Sequence, residues 1–259
     1  MTLRLSRPFL LVLGAAAAAA LPASAAPGGY IAPADTIDAV ALLPPPPAAP
    51  SAAMALDLEV SAQALDTVSA ARHAQARVDA DMGLPAGASL FTCAVGMQMT
   101  EAGTPALYRL LRLTRKDAKA AVAAAKEHHA RPRPSATNGR PNCSGTPDLP
   151  ESYPSGHATV GAVWAHVLGT LFPERGVAIE QRGRSLGDSR LICNKHWHSD
   201  VIQARTVAAA VTAQLHAAPA FQRDLGLARE EIARTVKDTG SHDCATEATV
   251  LTERPASAL

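Results

Sequence analysis

Aromatic residues are scarce in this chain: two Trp, three Tyr and four Phe make up 3% of 259 residues. Segments that alternate apolar and polar residues are also few, so the usual material of a strand-built core is missing. Net charge is nearly absent, with 24 Lys and Arg against 23 Asp and Glu, a formal +1. A nucleic acid or an anionic membrane therefore gains nothing from bulk electrostatics, and any anion site must come from locally clustered cations. No pair of cysteines has the C-x-x-C spacing of a zinc frame. There is no internal repeat, and beyond the first 25 residues no stretch is long and apolar enough to cross a bilayer.

What is present begins with an export pattern. Arg4 and Arg7 precede an apolar, alanine-rich run from Phe9 to Ala20, Pro22 breaks it, and Ala23-Ser24-Ala25 offers small residues for cleavage. Residues 1–25 are thus expected to be a signal peptide. The mature protein is expected to be periplasmic or secreted, with no stable membrane insertion. Cys93, Cys143, Cys193 and Cys244 favour two disulfides in such a compartment. Three pairings are open, and the sequential one, Cys93–Cys143 with Cys193–Cys244, is the expectation taken here.

Residues 26–59 form a Pro- and Ala-rich segment containing Pro44-Pro45-Pro46-Pro47, expected to be an extended arm over the domain or at an oligomer contact. Residues 60–259 are expected to form one all-α domain, a compact helical bundle with its site built from loops and helix ends on one side. Apolar spacing predicts helices over about Val60 to Met82, Asp117 to His129, Gly156 to Phe172, Ser199 to His216 and Ala220 to Val236. The third is apolar on nearly every side, and is expected to be buried and central.

Three clusters carry chemistry. Lys126 is followed by Arg133-Pro134, two cations around a proline-stopped helix end. Tyr153-Pro154-Ser155-Gly156-His157 opens the buried helix: Ser155 is a good N-cap, Gly156 admits close approach of a ligand, and the free amides there suit an anion. Ser189-Arg190, His196 and Asp200 form the third. His196 and Asp200 stand one helical turn apart, so the carboxylate can fix the ring tautomer and leave the other nitrogen as a nucleophile. Arg190 can hold phosphate oxygens through its planar fork. Each cluster alone is equally a cap, a surface histidine or a solvated charge. His196-x-His198-x-Asp200 also fits a metal-dependent hydrolase pattern, although Val201 stands where a further histidine usually follows. His128, His129 and His166 have no evident partners and are read as structural.

In this order and spacing the clusters resemble the phosphatidic acid phosphatase type 2 superfamily, whose signature reads K-x6-R-P, P-S-G-H and S-R-x5-H-x3-D. The run Leu42 to Pro47, Ser152 to His157, Ser189 to Cys193, His196-Trp197 and Ser199 to Val201 are similar to the bacterial class A non-specific acid phosphatases. Two departures stand out: Arg182-Gly183-Arg184-Ser185 occupies a segment where Glu is common, and His198 replaces the usual Gln.

The resemblance implies an acid phosphatase that hydrolyses small phosphomonoesters without a metal or other cofactor. It implies His196 as nucleophile, Asp200 as its orienting group and His157 as the proton donor that later activates water. Lys126, Arg133, Ser155, Gly156 and Arg190 would hold the phosphate oxygens, with Ser189 supporting them. A mildly acidic optimum, inhibition by vanadate, a broad substrate range and phosphotransfer to alcohols would follow, and homo-oligomers are left open. The alternatives are a vanadate-dependent haloperoxidase, for which the chain is short, and the metal-dependent hydrolase through His196, His198 and Asp200.

Overall fold

The computed structural model describes residues 28–143, 148 and 150–255, so the expected signal peptide over residues 1–25 lies outside the described residues. Among those described there is no β-strand, and the fold is all-α. The helices follow in order as α1 (Ala39–Leu42), α2 (Ala52–Asp66), α3 (Ala70–Val78), α4 (Ala86–Ser89), α5 (Thr92–Val95) and α6 (Pro105–His129). Then come α7 (Pro134–Thr137), α8 (Gly156–Leu171), α9 (Gly176–Ile192), α10 (His198–Ala217), α11 (Pro219–Arg234) and α12 (Cys244–Val250).

Helix α8 is the axis of the bundle and packs against α6, α9 and α10. Its apolar surface has nowhere else to go: Val163, Trp164, Ala165, Val167 and Leu168 are fully buried. The indole N–H of Trp164 donates to the Leu111 carbonyl of α6 at 2.9 Å, and Phe91 meets the ring edge-to-face. Helix α9 lies unusually close to α8 because glycines face each other. A Cβ on Gly183 would come within 2.9 Å of the Gly161 carbonyl oxygen and 2.5 Å of the Ala165 Cβ.

Helix α6 starts with Pro105 at its first turn and ends at Ala130 in the left-handed region, φ 42°, just before Pro132 and Pro134. Leu107, Leu110, Leu111, Thr114, Ala118, Ala121, Val122 and Ala125 recur every three or four residues and are buried. The helix is therefore twelve residues longer at its start than the Asp117 expected from sequence. The helix expected over Val60 to Met82 is two, α2 and α3, because Ser69 caps the second by accepting the Arg72 N–H at 3.1 Å. Helix α2 begins at Ala52, inside the segment expected to be extended. The remainder of that segment crosses the bundle: Tyr30 and Ile31 donate backbone N–H groups to the Asp117 carboxylate, and the Tyr153 hydroxyl donates to Pro44 O at 2.6 Å.

The disulfide expectation is corrected. Cys93 pairs with Cys244, and Cys143 with Cys193. The middle two cysteines pair with each other and the outer two close around them. The Cys143 N–H donates to the Cys193 carbonyl at 3.1 Å, so these two strands of chain already run side by side. Cys93 in α5 instead faces the C-terminal helix α12, which has no buried residue of its own.

Candidate active site

Five segments meet at one cavity of about 840 Å3. Lys126 comes from the last turn of α6, and Arg133 from the strap before α7. Gly156 and His157 open α8, Arg190 closes α9, and His196 sits in the turn ahead of α10. All six line the cavity.

The cradle gathers Lys126, Arg133, Arg190 and Lys195 around His196, with Asp148 beside Arg133 and Lys195. Arg190 is only 4% exposed, yet its Nε and Nη1 are buried without a hydrogen-bond partner among the described residues. A buried guanidinium left that way costs several kcal/mol unless a ligand completes it, by roughly the penalty of an unpaired ion. Burial, and then Arg133 nearby, lower the Arg190 pKa to about 10. Lys126 is lowered to about 8 by burial and by Arg133, and its Nζ rests on the Glu151 carbonyl at 2.6 Å. Arg133 donates to the carbonyls of Lys195 and Glu151 at 2.8 and 3.2 Å.

His196 is 2% exposed and stands between a carboxylate and a cation. Its Nδ1 lies 3.3 Å from Asp200 Oδ2, and its Nε2 lies 3.0 Å from Arg133 Nη1. A guanidinium only donates and a carboxylate only accepts, so the proton is assigned to Nδ1 and the lone pair to Nε2. Burial, followed by Arg133, Lys126 and Arg190, holds this imidazole well below its ordinary pKa, so it is neutral. His157 is likewise lowered, to about 3, by burial and then by Arg190. Its Nε2 is 2.9 Å from the Ala80 carbonyl, which can only accept, so Nε2 carries the proton.

Asp200 is fully buried but generously bonded. Burial raises its pKa, while Arg131, Ser152 and the Trp197 N–H oppose that. Arg131 Nη1 reaches Oδ1 at 2.5 Å, and the Ser152 hydroxyl and Trp197 N–H reach Oδ2 at 2.5 and 2.9 Å. The other fork of Arg131 holds Asp57 of α2 at 2.7 Å. The Asp200 carbonyl also accepts the Ser155 N–H at 3.0 Å, which joins the starts of α8 and α10.

Two expected phosphate contacts stand outside the cavity lining. Ser155 is fully buried, and its hydroxyl caps α8 by accepting the Ala158 N–H at 3.3 Å. The Ser189 hydroxyl donates to Asp79 at 2.5 Å and accepts from Arg72 at 3.0 Å. Arg182 completes that buried group with two bonds to Asp79 at 2.6 and 3.2 Å, and Ser185 accepts from Arg182 at 2.8 Å. The unusual Arg182 to Ser185 segment is thus part of the brace behind Arg190. His196, His198 and Asp200 do not converge as three ligands, and His198 is absent from the cavity lining. His166 and His129 lie apart from the site, the first beside Thr212 at 3.1 Å and the second edge-on to Tyr153.

Sequence reasoning missed Arg131, Asp57, Ser152 and the Lys195–Asp148 ion pair at the cavity wall. Arg131 had a signal, standing in Arg131-Pro132-Arg133-Pro134 beside the motif arginine. Asp57 had none.

Chemically, the arrangement offers a neutral ring nitrogen facing a pocket of cations and helix-end amides, a setting for an oxyanion under nucleophilic attack. Residues 117–223 match the family model described as PAP2 superfamily. The chain is 38% identical to a non-specific acid phosphatase of Providencia stuartii over 80% of this chain and 86% of that protein. It is 35% identical to a non-specific acid phosphatase of Salmonella typhimurium, over 77% and 82% respectively. An acid phosphatase of Zymomonas mobilis is 34% identical over 78% of this chain and 79% of its own.

Proposed function

The chain belongs to the PAP2 superfamily and is an acid phosphatase, and from that premise we propose that it hydrolyses phosphomonoesters through a phosphohistidine at His196. The observation that carries this reading is a neutral, buried His196 in one cavity with the Arg190 guanidinium, whose Nε and Nη1 have no hydrogen-bond partner among the described residues.

In the free site Arg133 occupies the His196 lone pair. An arriving phosphate takes that donor, together with Lys126, Arg190 and the amide end of α8 at Gly156, and so frees Nε2 for in-line attack. As the N–P bond forms, the ring becomes cationic, and Asp200 stabilises it through Nδ1–H. Ser155 and Ser189 act from behind, as the cap and brace described above. His157 delivers a proton to the departing oxygen and then withdraws one from water. In the empty site it is neutral at mildly acidic pH. The dianionic phosphate supplies the countercharge that lets it hold a proton, so acid and nucleophile acquire different charge only in the complex.

A covalent intermediate has a product-ratio signature. With ethanol present, the ratio of ethyl phosphate to inorganic phosphate is expected to be the same for aryl phosphates of widely different leaving groups. A ratio that tracks the leaving group would overturn the two-step route.

The pH profile tests the cradle. Only the ammonium form of Lys126 binds phosphate, and its pKa is lowered to about 8. Activity as kcat/KM, which reports the free enzyme, is therefore expected to fall about tenfold per pH unit above that value. Lys126→Arg should remove this limb, and a limb unchanged in the variant would assign it elsewhere. Export fits the same reading, because two disulfides persist in an oxidising compartment.

A further inference from the structure

We infer that the site prefers organic bisphosphates, with the second phosphate held by Lys119 and Arg115 about a hexose length from the one being hydrolysed. The inference rests on the phosphatase reading above and names a substrate class for that cavity.

The cavity is larger than its chemistry needs. At about 840 Å3 it has the size that buries a whole small organic ligand, whereas the six catalytic and cradle residues engage one phosphoryl group. The rest of one wall is a single face of α6, where Arg115, Lys119, Val122 and Lys126 follow at intervals of four, three and four residues. A helix rises about 1.5 Å per residue, so Lys119 stands about 10 Å and Arg115 about 16 Å along the axis from Lys126. That face is a ladder of cations leading away from the reacting phosphorus.

Its two outer rungs, Arg115 and Lys119, make no ion pair among the described residues. Other arginines of α6 have carboxylate partners, Arg109 with Asp224 at 2.9 Å and Arg112 with Glu101 at 2.9 Å. Arg115 differs: its Nε is buried with no hydrogen-bond partner among the described residues. Lys119 makes no ion pair among the described residues either. Four carboxylates line the same cavity: Glu127 next to Lys126 in sequence, Asp148 and Glu151 at the Arg133 and Lys195 end, and Asp81. A second anion held close to the reacting phosphate meets the first three. The wall therefore selects by length: the second phosphate must reach the Lys119 rung, which a short spacer does not.

Alkanediol phosphates isolate this effect from sugar chemistry. For the wild-type enzyme, kcat/KM per phosphate group is expected to be about tenfold higher for hexane-1,6-diol bisphosphate than for the monophosphate, mostly through KM. Propane-1,3-diol bisphosphate should gain less than twofold. The preference should fade in 0.5 M salt, as exposed charges are screened. In Arg115→Ala/Lys119→Ala the six-carbon preference should vanish while hydrolysis of the monophosphate is unchanged, and Lys119→Glu alone should invert it. Equal rates for both hexanediol esters in the wild type, or a preference that survives the double variant, would overturn the inference and leave the phosphatase reading standing. Failure to hydrolyse either ester would overturn both.

Discussion

Replacing His196 by alanine is expected to lower kcat for a simple aryl phosphate by at least about 10^4-fold, with the fold retained by circular dichroism. The size follows from what is removed. A nucleophile that splits one displacement into two cannot be replaced by water in a cradle built to orient an imidazole, and losing such a group costs factors of that order or more. Binding should survive, because the cations that hold phosphate are separate side chains; inorganic phosphate should still protect the variant against heat. The assay is run with a chelator present, so that activity through a bound metal does not enter. Variant activity within tenfold of wild type would remove His196 from the reaction.

The largest effect on stability is expected at Arg131. This side chain lies 7% exposed between Asp57 and Asp200, whose side chains are 1% and 0% exposed. Arg131→Met keeps the bulk but leaves two buried carboxylates without their shared cation. Breaking a buried pair from one side typically costs about 3–5 kcal/mol. For a chain of this size that corresponds to a Tm lower by about 6–20 °C. Activity should change in a characteristic way as well. Burial already raises the Asp200 pKa, and loss of Arg131 raises it further. The ionised form that supports His196 is then present only at higher pH, so the kcat profile should shift towards alkali. Adding Asp57→Asn should recover part of the Tm. A single variant melting within 2 °C of wild type would show that the Asp57–Arg131–Asp200 bridge contributes nothing.

Arg131 also shows where sequence reading stops. Its neighbour Arg133 stood out because a motif spaces it from Lys126, and it does line the cavity. Arg131 contributes by joining α2 to α10 through carboxylates 74 and 69 residues away, and no local pattern encodes that. Helix α8 could be read almost to its ends, since an apolar run closed by Pro173 has one physical solution. Helix α9 could not. Its buried face carries Arg182, Asp188, Ser189 and Arg190, of which Arg182 and Ser189 bond to Asp79 outside the helix and Arg190 faces the cavity, so the apolar stripe that marks a helix is missing. The first half of α6 was hidden differently: Arg109, Arg112, Arg115 and Lys116 obscured a regular set of leucines. The cysteines were visible, but their pairing depends on which surfaces the bundle brings together.

The Cys143–Cys193 bridge has a consequence for how the enzyme assembles. Its two ends are 50 residues apart, and the ring they close contains all of α8 and α9, with Gly156, His157 and Arg190. His196 and Asp200 fall just outside it. In the chain-entropy picture a ring of that length lowers the freedom of the unfolded chain by about 4 kcal/mol. Half of the phosphate cradle is thus confined to a small volume before the bundle consolidates. Oxidation of this thiol pair shortens the search that brings it to the nucleophile.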